Sequence, residues 1–286
     1  MKKLYYSLLL ITIFFAQPVF GQFSSGSGTS GDPYLISTAA DLDNVRNYLG
    51  TETTSYYFRQ TDDIDLIGLD WVPIGGGGTE DKFQGHYDGA GFTISNLTIN
   101  RAGTPNVGLF GHIGPLDGSS TNGLSIKKVR LENVNVKGAR GTGALVGRVT
   151  GNEYTFIESC YVLDGSVTGD AATGGLVGSN NSYVTGSEIG TRRPVIKKCF
   201  ANVEVIFSGS GSDNQKFGGL AGCNQKGEIL NSYSLSTVTV ETSSGSAERV
   251  GGLAGCIDLK GEVENSYSAG LVTVSGGLTQ VGGLVG

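Results

Sequence analysis

The chain has 286 residues, room for one large domain or two small ones. Its formal net charge of −6 argues against a nucleic-acid partner, whose binding needs a basic stripe, and does not favour an anionic membrane surface. Glycine contributes 48 residues without a collagen period, and the 38 % apolar content, rich in Val, Ile, Leu and Tyr, points to a core of strands rather than helices.

The first 21 residues read as a signal peptide. Met1-Lys2-Lys3 is a basic start, Leu4 to Phe15 an apolar run, and Pro18-Val19-Phe20-Gly21 a cleavage region, with cleavage placed after Gly21. The run is shorter than the ~18–20 residues a membrane anchor needs. No cysteine stands at the cleavage point for a lipid anchor, and no later segment is apolar enough to span a bilayer. The expected location is therefore secreted or extracellular cell surface, with no membrane insertion after cleavage. Residues 22–31 are rich in Ser and Gly and read as a flexible linker. The G-x-G-x-x-G match from Gly26 to Gly31 has no strand before it, so it carries no dinucleotide reading.

Residues 32–105 read as an N-terminal cap and the first coils. Thr38 can cap a helix, Asp41 sits in its first turn, Leu42, Val45, Tyr48 and Leu49 share a face, and Gly50 suits the position after its end. The expectation is a three-turn amphipathic helix covering the open edge of the first coil. Strand candidates follow at Tyr56-Tyr57-Phe58, Ile64-Asp65-Leu66, Trp71-Val72-Pro73-Ile74 and Ile94 to Ile99, broken by the glycines at 75–78 and the Asp88-Gly89-Ala90-Gly91 turn.

From residue 106 to 286 the chain repeats. One piece is Gly-Leu-x-Gly: Gly108-Leu109-Phe110-Gly111, then Leu145 with Gly147, Leu176 with Gly178, Leu220 with Gly222, Leu253 with Gly255, and Leu284, spaced 31 to 44 residues apart. A second piece starts at Ile126, Ile157, Ile196, Ile229 and Val263, and a third is Val-x-Val, as in Val134/Val136 and Val203/Val205, with Val167 alone in one repeat. Three short strands per period suit a coil of a parallel β-helix, whose units bury their apolar faces only by stacking. Arg130 aligns with Tyr161, Phe200, Tyr233 and Tyr267; an unpaired arginine in a narrow core is costly, so that column faces outward. Val129, Cys160, Cys199, Ser232 and Ser266 then point inward. The glycines are expected to permit a tight corner and the leucine to fill the core, with any binding site away from this motif. The array is expected to continue beyond Gly286 with further domains of the same polypeptide.

These pieces, together with Gly31-Asp32-Pro33-Tyr34-Leu35-Ile36, Asp63-Ile64-Asp65-Leu66, Trp71-Val72-Pro73-Ile74-Gly75 and Phe83-x-Gly85-x-Tyr87-Asp88-Gly89-x-Gly91, resemble the GLUG-motif proteins over residues 31–286. The resemblance implies a right-handed β-helix; with the elements read above, the expected fold is all-β, a right-handed parallel β-helix with an N-terminal amphipathic capping helix. It also implies a large secreted or surface-displayed bacterial protein, adhesin-like. Such repeats also accompany immunoglobulin A metallopeptidase domains. It carries no catalytic residues onto this chain.

Chemistry-bearing motifs are sparse. His86 and His112 are 26 residues apart rather than in the H-E-x-x-H spacing of a zinc peptidase, and read as isolated surface or turn residues. No G-x-S-x-G elbow occurs. Cys160 and Cys199 occupy one column and Cys223 and Cys256 another; rungs ~4.8 Å apart put both pairs within disulfide range. The first pair is read as free interior thiols, and the second is left open between thiols and a disulfide. Asp62, Asp63 and Asp65 are read either as solvent-facing acids or as part of a structural calcium site; no other cofactor or metal is expected. The outward column Tyr161, Phe200, Tyr233 and Tyr267 is the candidate binding surface, with self-stacking that stiffens the rungs as the alternative role.

The functional expectation is a non-enzymatic β-helical module binding a surface glycan or extracellular protein. The alternative is a carbohydrate-active β-helix enzyme, a polysaccharide lyase or hydrolase. That reading needs paired carboxylates in one cleft; Asp88, Glu158, Glu188, Glu228, Asp258 and Glu262 are available but do not align as a motif.

Overall fold

The computed structural model describes residues 23–51, 53–76, 81–115, 123–152, 154–182, 193–207, 215–241, 248–276 and 280–286. The signal segment and the longest spacer, at 183–192, lie outside these residues. Among the described residues the strands stack into four parallel sheets that follow one another around each coil, and the chain is a parallel β-solenoid with one short α-helix near its start. A representative coil runs through Leu124–Lys127 in the first sheet and Arg130–Lys137 in the second. It continues through Arg140–Gly143 in the third and Val146–Gly151 in the fourth.

Alternation along each strand builds the core. Ile126, Ile157, Ile196 and Ile229 fall in one register on the first sheet, and Val136, Val167, Val205 and Val238 on the second; all are buried. Leu109, Leu145, Leu176, Leu220 and Leu253 have no exposed surface. They stand at the corner between the third and fourth sheets, where Leu145 N–H donates to Leu176 O, Leu176 to Leu220, and Leu220 to Leu253, at 2.9–3.0 Å. The leucine fills the core as the period implies. The motif glycines are required by close approach, since most keep ordinary φ: a Cβ on Gly178 would lie 2.4 Å from Gly147 O and 2.5 Å from Thr142 N.

The left-handed corners lie elsewhere. Lys128, Ser159, Lys198, Asn231 and Asn265 all adopt φ of 49–54°, each one residue before the small inward column. That column is a hydrogen-bond ladder. Cys199 N–H donates to Ser232 Oγ and Ser232 N–H to Ser266 Oγ, both at 3.1 Å, while each hydroxyl donates to the carbonyl two residues back, Leu230 O and Glu264 O, at 2.8 Å. The buried corner amides are thus satisfied by side chains, as buried backbone groups must be.

Two expectations for the N-terminal region change. The helix is Ala39–Asn44 with a 3-10 turn at Val45–Asn47, not three turns. Thr38 and Asp41 do form a reciprocal capping box, but Leu42 and Val45 already reach the core. Tyr48 leaves helical geometry to pack against Phe23 and Tyr34 at centroid distances of 5.2 Å, so tertiary packing overrides the helical period. Residues 23–31 are not a flexible linker. Phe23 is buried and stacks on Tyr34 at 4.4 Å, Leu35 N–H donates to Ser25 O, and Tyr57 N–H to Gly28 O. Gly26 and Gly28 are demanded by positive φ and by contact with Pro33 and Tyr34, which composition cannot distinguish from linker glycine.

Candidate functional site

The second sheet carries the aromatic column outward in the expected register, Arg130↔Tyr161↔Phe200↔Tyr233↔Tyr267. Ring centroids are 4.8, 4.9 and 5.0 Å apart from Tyr161 to Tyr267, and the planes of the last two pairs are within 3° of parallel. The faces therefore lie mostly against one another, and the ladder turns ring edges and tyrosine hydroxyls to solvent. Tyr161, Phe200 and Tyr233 are half-buried; Tyr267 is 54 % exposed. Partial burial and the neighbouring Tyr267 and Tyr161 hold the Tyr233 phenol above its usual pKa, so it stays a hydrogen-bond donor. Below the ladder, Arg130 ion-pairs with Glu132.

Beside the ladder is a recess lined by Asp164, Gly165, Asn202, Glu204 and Thr237. Its origin is a one-residue bulge. The Tyr161–Gly169 strand matches the coil before it residue for residue, but its register shifts against the coil after it between Leu163 and Ser166. Asp164 (φ 58°) repeats the left-handed turn of Asn96 and Asn133 in the two preceding coils, and Gly165 (φ 102°) follows it. Asn202 and Val203 in the next coil lack that turn. The sheet changes shape between the two coils, and the step leaves polar side chains from three coils around one hollow. Sequence reasoning missed this recess. The Asp164-Gly165 pair, whose glycine stands where the preceding coil has the first valine of Val134/Val136, is the signal that marks it.

The other candidate residues have structural partners. Asp63 accepts Thr93 N–H at 2.7 Å, Asp62 accepts Asp63 N–H at 2.9 Å, and Asp65 accepts from Asn96 Nδ2 at 2.6 Å and from Ile67 N–H. The Asn96 and backbone bonds hold the Asp65 carboxyl below its usual pKa. The acids weighed for a lyase sit in ion pairs: across rungs, Asp88 with Lys127 at 3.4 Å, Glu158 with Lys197 at 3.2 Å, and Glu228 and Glu262 with Arg193; within one coil, Asp258 with Arg249 at 2.7 Å. Glu188 lies outside the described residues. Cys160 and Cys199 are buried free thiols, and Cys223 and Cys256 are disulfide-bonded.

Neither histidine is a surface residue. His86 is half-buried, stacked on Tyr57 at 4.3 Å and 3.0 Å from Ser125 Oγ through Nδ1. His112 is 5 % exposed and 2.7 Å from Thr150 Oγ1 through Nε2. Burial first, then Arg148 and Lys82, push the His112 pKa down to about 3. The folded value lies below the unfolded ~6.5, so the neutral ring's contribution is complete above pH ~6.5 and is lost as pH falls through that value toward about 3. Urea midpoints of the wild type are expected to decline between about pH 6.5 and 4.5, before most carboxylates titrate. His112→Gln is expected to flatten most of that slope, with the remainder from His86, which is shifted the same way by burial and Lys127. An unchanged slope in His112→Gln would refute the assignment.

No protein-family model matches the chain. It is 41 % identical over 150 residues to a "Putative Gly-rich membrane protein" of Evansella cellulosilytica, covering 49 % of this chain and 15 % of that protein. It is 31 % identical over 192 residues to an immunoglobulin A1 protease of Streptococcus pneumoniae, covering 61 % of this chain and 9 % of that protein. The chain thus spans a small part of the length of these relatives. Its fold is similar to a crystal structure from Bacteroides ovatus titled a "putative immunoglobulin A1 protease", with a TM-score of 0.63 and 22 % identity over 92 % of this chain and 87 % of that one.

Proposed function

We propose that the chain is a non-catalytic, adhesin-like β-helical module of a secreted or cell-surface protein, of the GLUG-motif kind, and that it binds a surface glycan or extracellular protein on the second sheet. Residues 1–21 act as the export signal, and the module belongs to a larger polypeptide, as the matched stretches do in their relatives. The observation that carries the reading is the aromatic ladder beside the polar recess. Ring edges and phenol hydroxyls supply apolar contact and hydrogen bonds, while Asp164, Asn202, Glu204 and Thr237 supply acceptors and amide donors. That mixture favours a hydroxyl-rich glycan over a flat apolar protein face.

The test is a glycan array and titration with the purified chain. Tyr233→Ala with Tyr267→Ala is expected to weaken the selected ligand at least about tenfold. The same change removes stacked pairs worth ~0.5–1.5 kcal/mol each, a loss of only a few degrees in melting temperature. Unchanged affinity sinks the proposal, and a large collapse of stability would make the tyrosines packing residues alone. One observation favours the hydrolytic alternative: Asp164 and Glu204 line the same recess. Release of reducing ends from the bound glycan, abolished by Glu204→Gln, would replace the binding reading with that one.

A further inference from the structure

A second recess lies on the opposite flank, along the seam between the third and fourth sheets. The motif glycines create it. Gly147, Gly178 and Gly222 turn toward the backbone of the preceding coil, where a Cβ on Gly222 would meet Ala172 C at 2.3 Å and Thr173 N at 2.4 Å. With no side chains on that side, the fourth sheet closes onto the third and a hollow runs beside the contact. Asn106, Arg140, Arg148, Asn181, Lys216 and Gln225 line it. These residues come from four successive coils, so the recess extends for about 14 Å at ~4.8 Å per coil.

Its charge runs against that of the chain. The protein is acidic overall, with 26 Asp and Glu against 20 Lys and Arg, yet three cations and no carboxylate line this hollow. Arg140 and Arg148 are exposed, and no carboxylate among the described residues is within ion-pair distance of either. Lys216 shares Asp258, at 3.5 Å, with Arg249, which is nearer to it. The ladder recess, by contrast, is lined by two carboxylates and no cation.

We infer that this glycine-made groove binds an acidic polysaccharide chain lying along the solenoid axis. Guanidinium forks pair with carboxylate or sulfate groups in two-point geometry, and the amides of Asn106, Asn181 and Gln225 suit the hydroxyls between them. Each of the four coils contributes at least one polar donor to the groove, so a chain of sugars laid along the axis meets donors over its length. No aromatic side chain lines the groove to stack a base, which disfavours single-stranded nucleic acid. The site is separate from the ladder and stands or falls independently of it.

The experiment titrates the purified chain with polygalacturonate and with dextran sulfate, the first carrying carboxylates and the second sulfates. Unsulfated dextran, polyglutamate and a single-stranded oligonucleotide serve as comparators, at low and high salt. One or both acidic polysaccharides are expected to bind, more weakly as salt rises. Arg140→Ser with Arg148→Ser is expected to lose at least about tenfold in affinity, and Tyr233→Ala to change nothing. Arg148→Glu, a single exposed change, guards against misfolding of the double variant and is expected to lose binding as well, with an unaltered circular dichroism spectrum. Failure of both acidic polysaccharides to bind at low salt overturns the inference, as does undiminished binding by the arginine variants. Equal affinity for polyglutamate or the oligonucleotide also overturns it, since the groove would then be an unselective anionic-polymer surface.

Discussion

Gly222→Val is expected to abolish folding of the C-terminal coils or to lower the melting temperature by more than about 10 °C. Gly222 has no positive φ, so the effect is not one of backbone strain. It comes from contact: the three atoms a Cβ would meet, Ala172 C, Thr173 N and Gly178 O at 2.3–2.6 Å, are all backbone in the preceding coil. Overpacking costs ~1–3 kcal/mol where side chains can move aside. Here two coils must part, breaking the adjacent strand pairing of Val177 with Ala221 and Ser179 with Cys223. A loss above ~4 kcal/mol is a large share of the ~5–15 kcal/mol that holds a domain together. Gly103→Ala is the control, since a Cβ there meets nothing within 4 Å; it is expected to be neutral or slightly stabilising. Equal thermal melts for Gly222→Val and Gly103→Ala would mean that the coils do not stack at this seam.

The features legible in the sequence are those that repeat. Every turn of a solenoid repeats the same environment, so an aligned column in the sequence becomes a stacked column in space. Arg130 alone was enough to orient the aromatic ladder, because a charge that cannot be buried decides the direction of its whole column. The unread features are those that break the repeat. The ladder recess depends on one extra residue at Asp164-Gly165, which brings Asp164 beside Glu204 although the two hold different places in their repeats. The cationic groove draws Arg140, Arg148 and Lys216 from non-equivalent columns, so no spacing announces it. Phe23 and His112 hid for another reason. Each sits in polar or glycine-rich local sequence and is buried by residues far along the chain, which local composition cannot register.

Reduction of the Cys223–Cys256 bond is expected to lower stability by about 3–4 kcal/mol, the loop-closure entropy of a ~33-residue loop, in the last coils rather than throughout. The bond ties neighbouring coils, with Cα atoms 4.7 Å apart across 33 residues of chain. In a stacked array each coil draws its stability from its neighbours, so the loss propagates mainly to Ile257–Asp258 and the strands beyond. Both cysteines are buried, so a reductant reaches the sulfurs only after those coils open, and reduction is expected to be slow without denaturant. Cys160 and Cys199 behave differently. Their thiols are engaged in the corner ladder, Cys199 Sγ with Lys197 O at 3.2 Å and Cys160 Sγ with Glu158 O at 3.4 Å, and burial raises the Cys160 pKa well above the usual thiol value. The two cysteines take the place of the serines of later coils. Denaturation without reductant is therefore expected to release two titratable thiols and denaturation with prior reduction four. Cys256→Ser is expected to reproduce the loss of stability seen on reduction. A urea midpoint unaffected by reductant, or four thiols released without it, would show that the two coils are held by stacking alone.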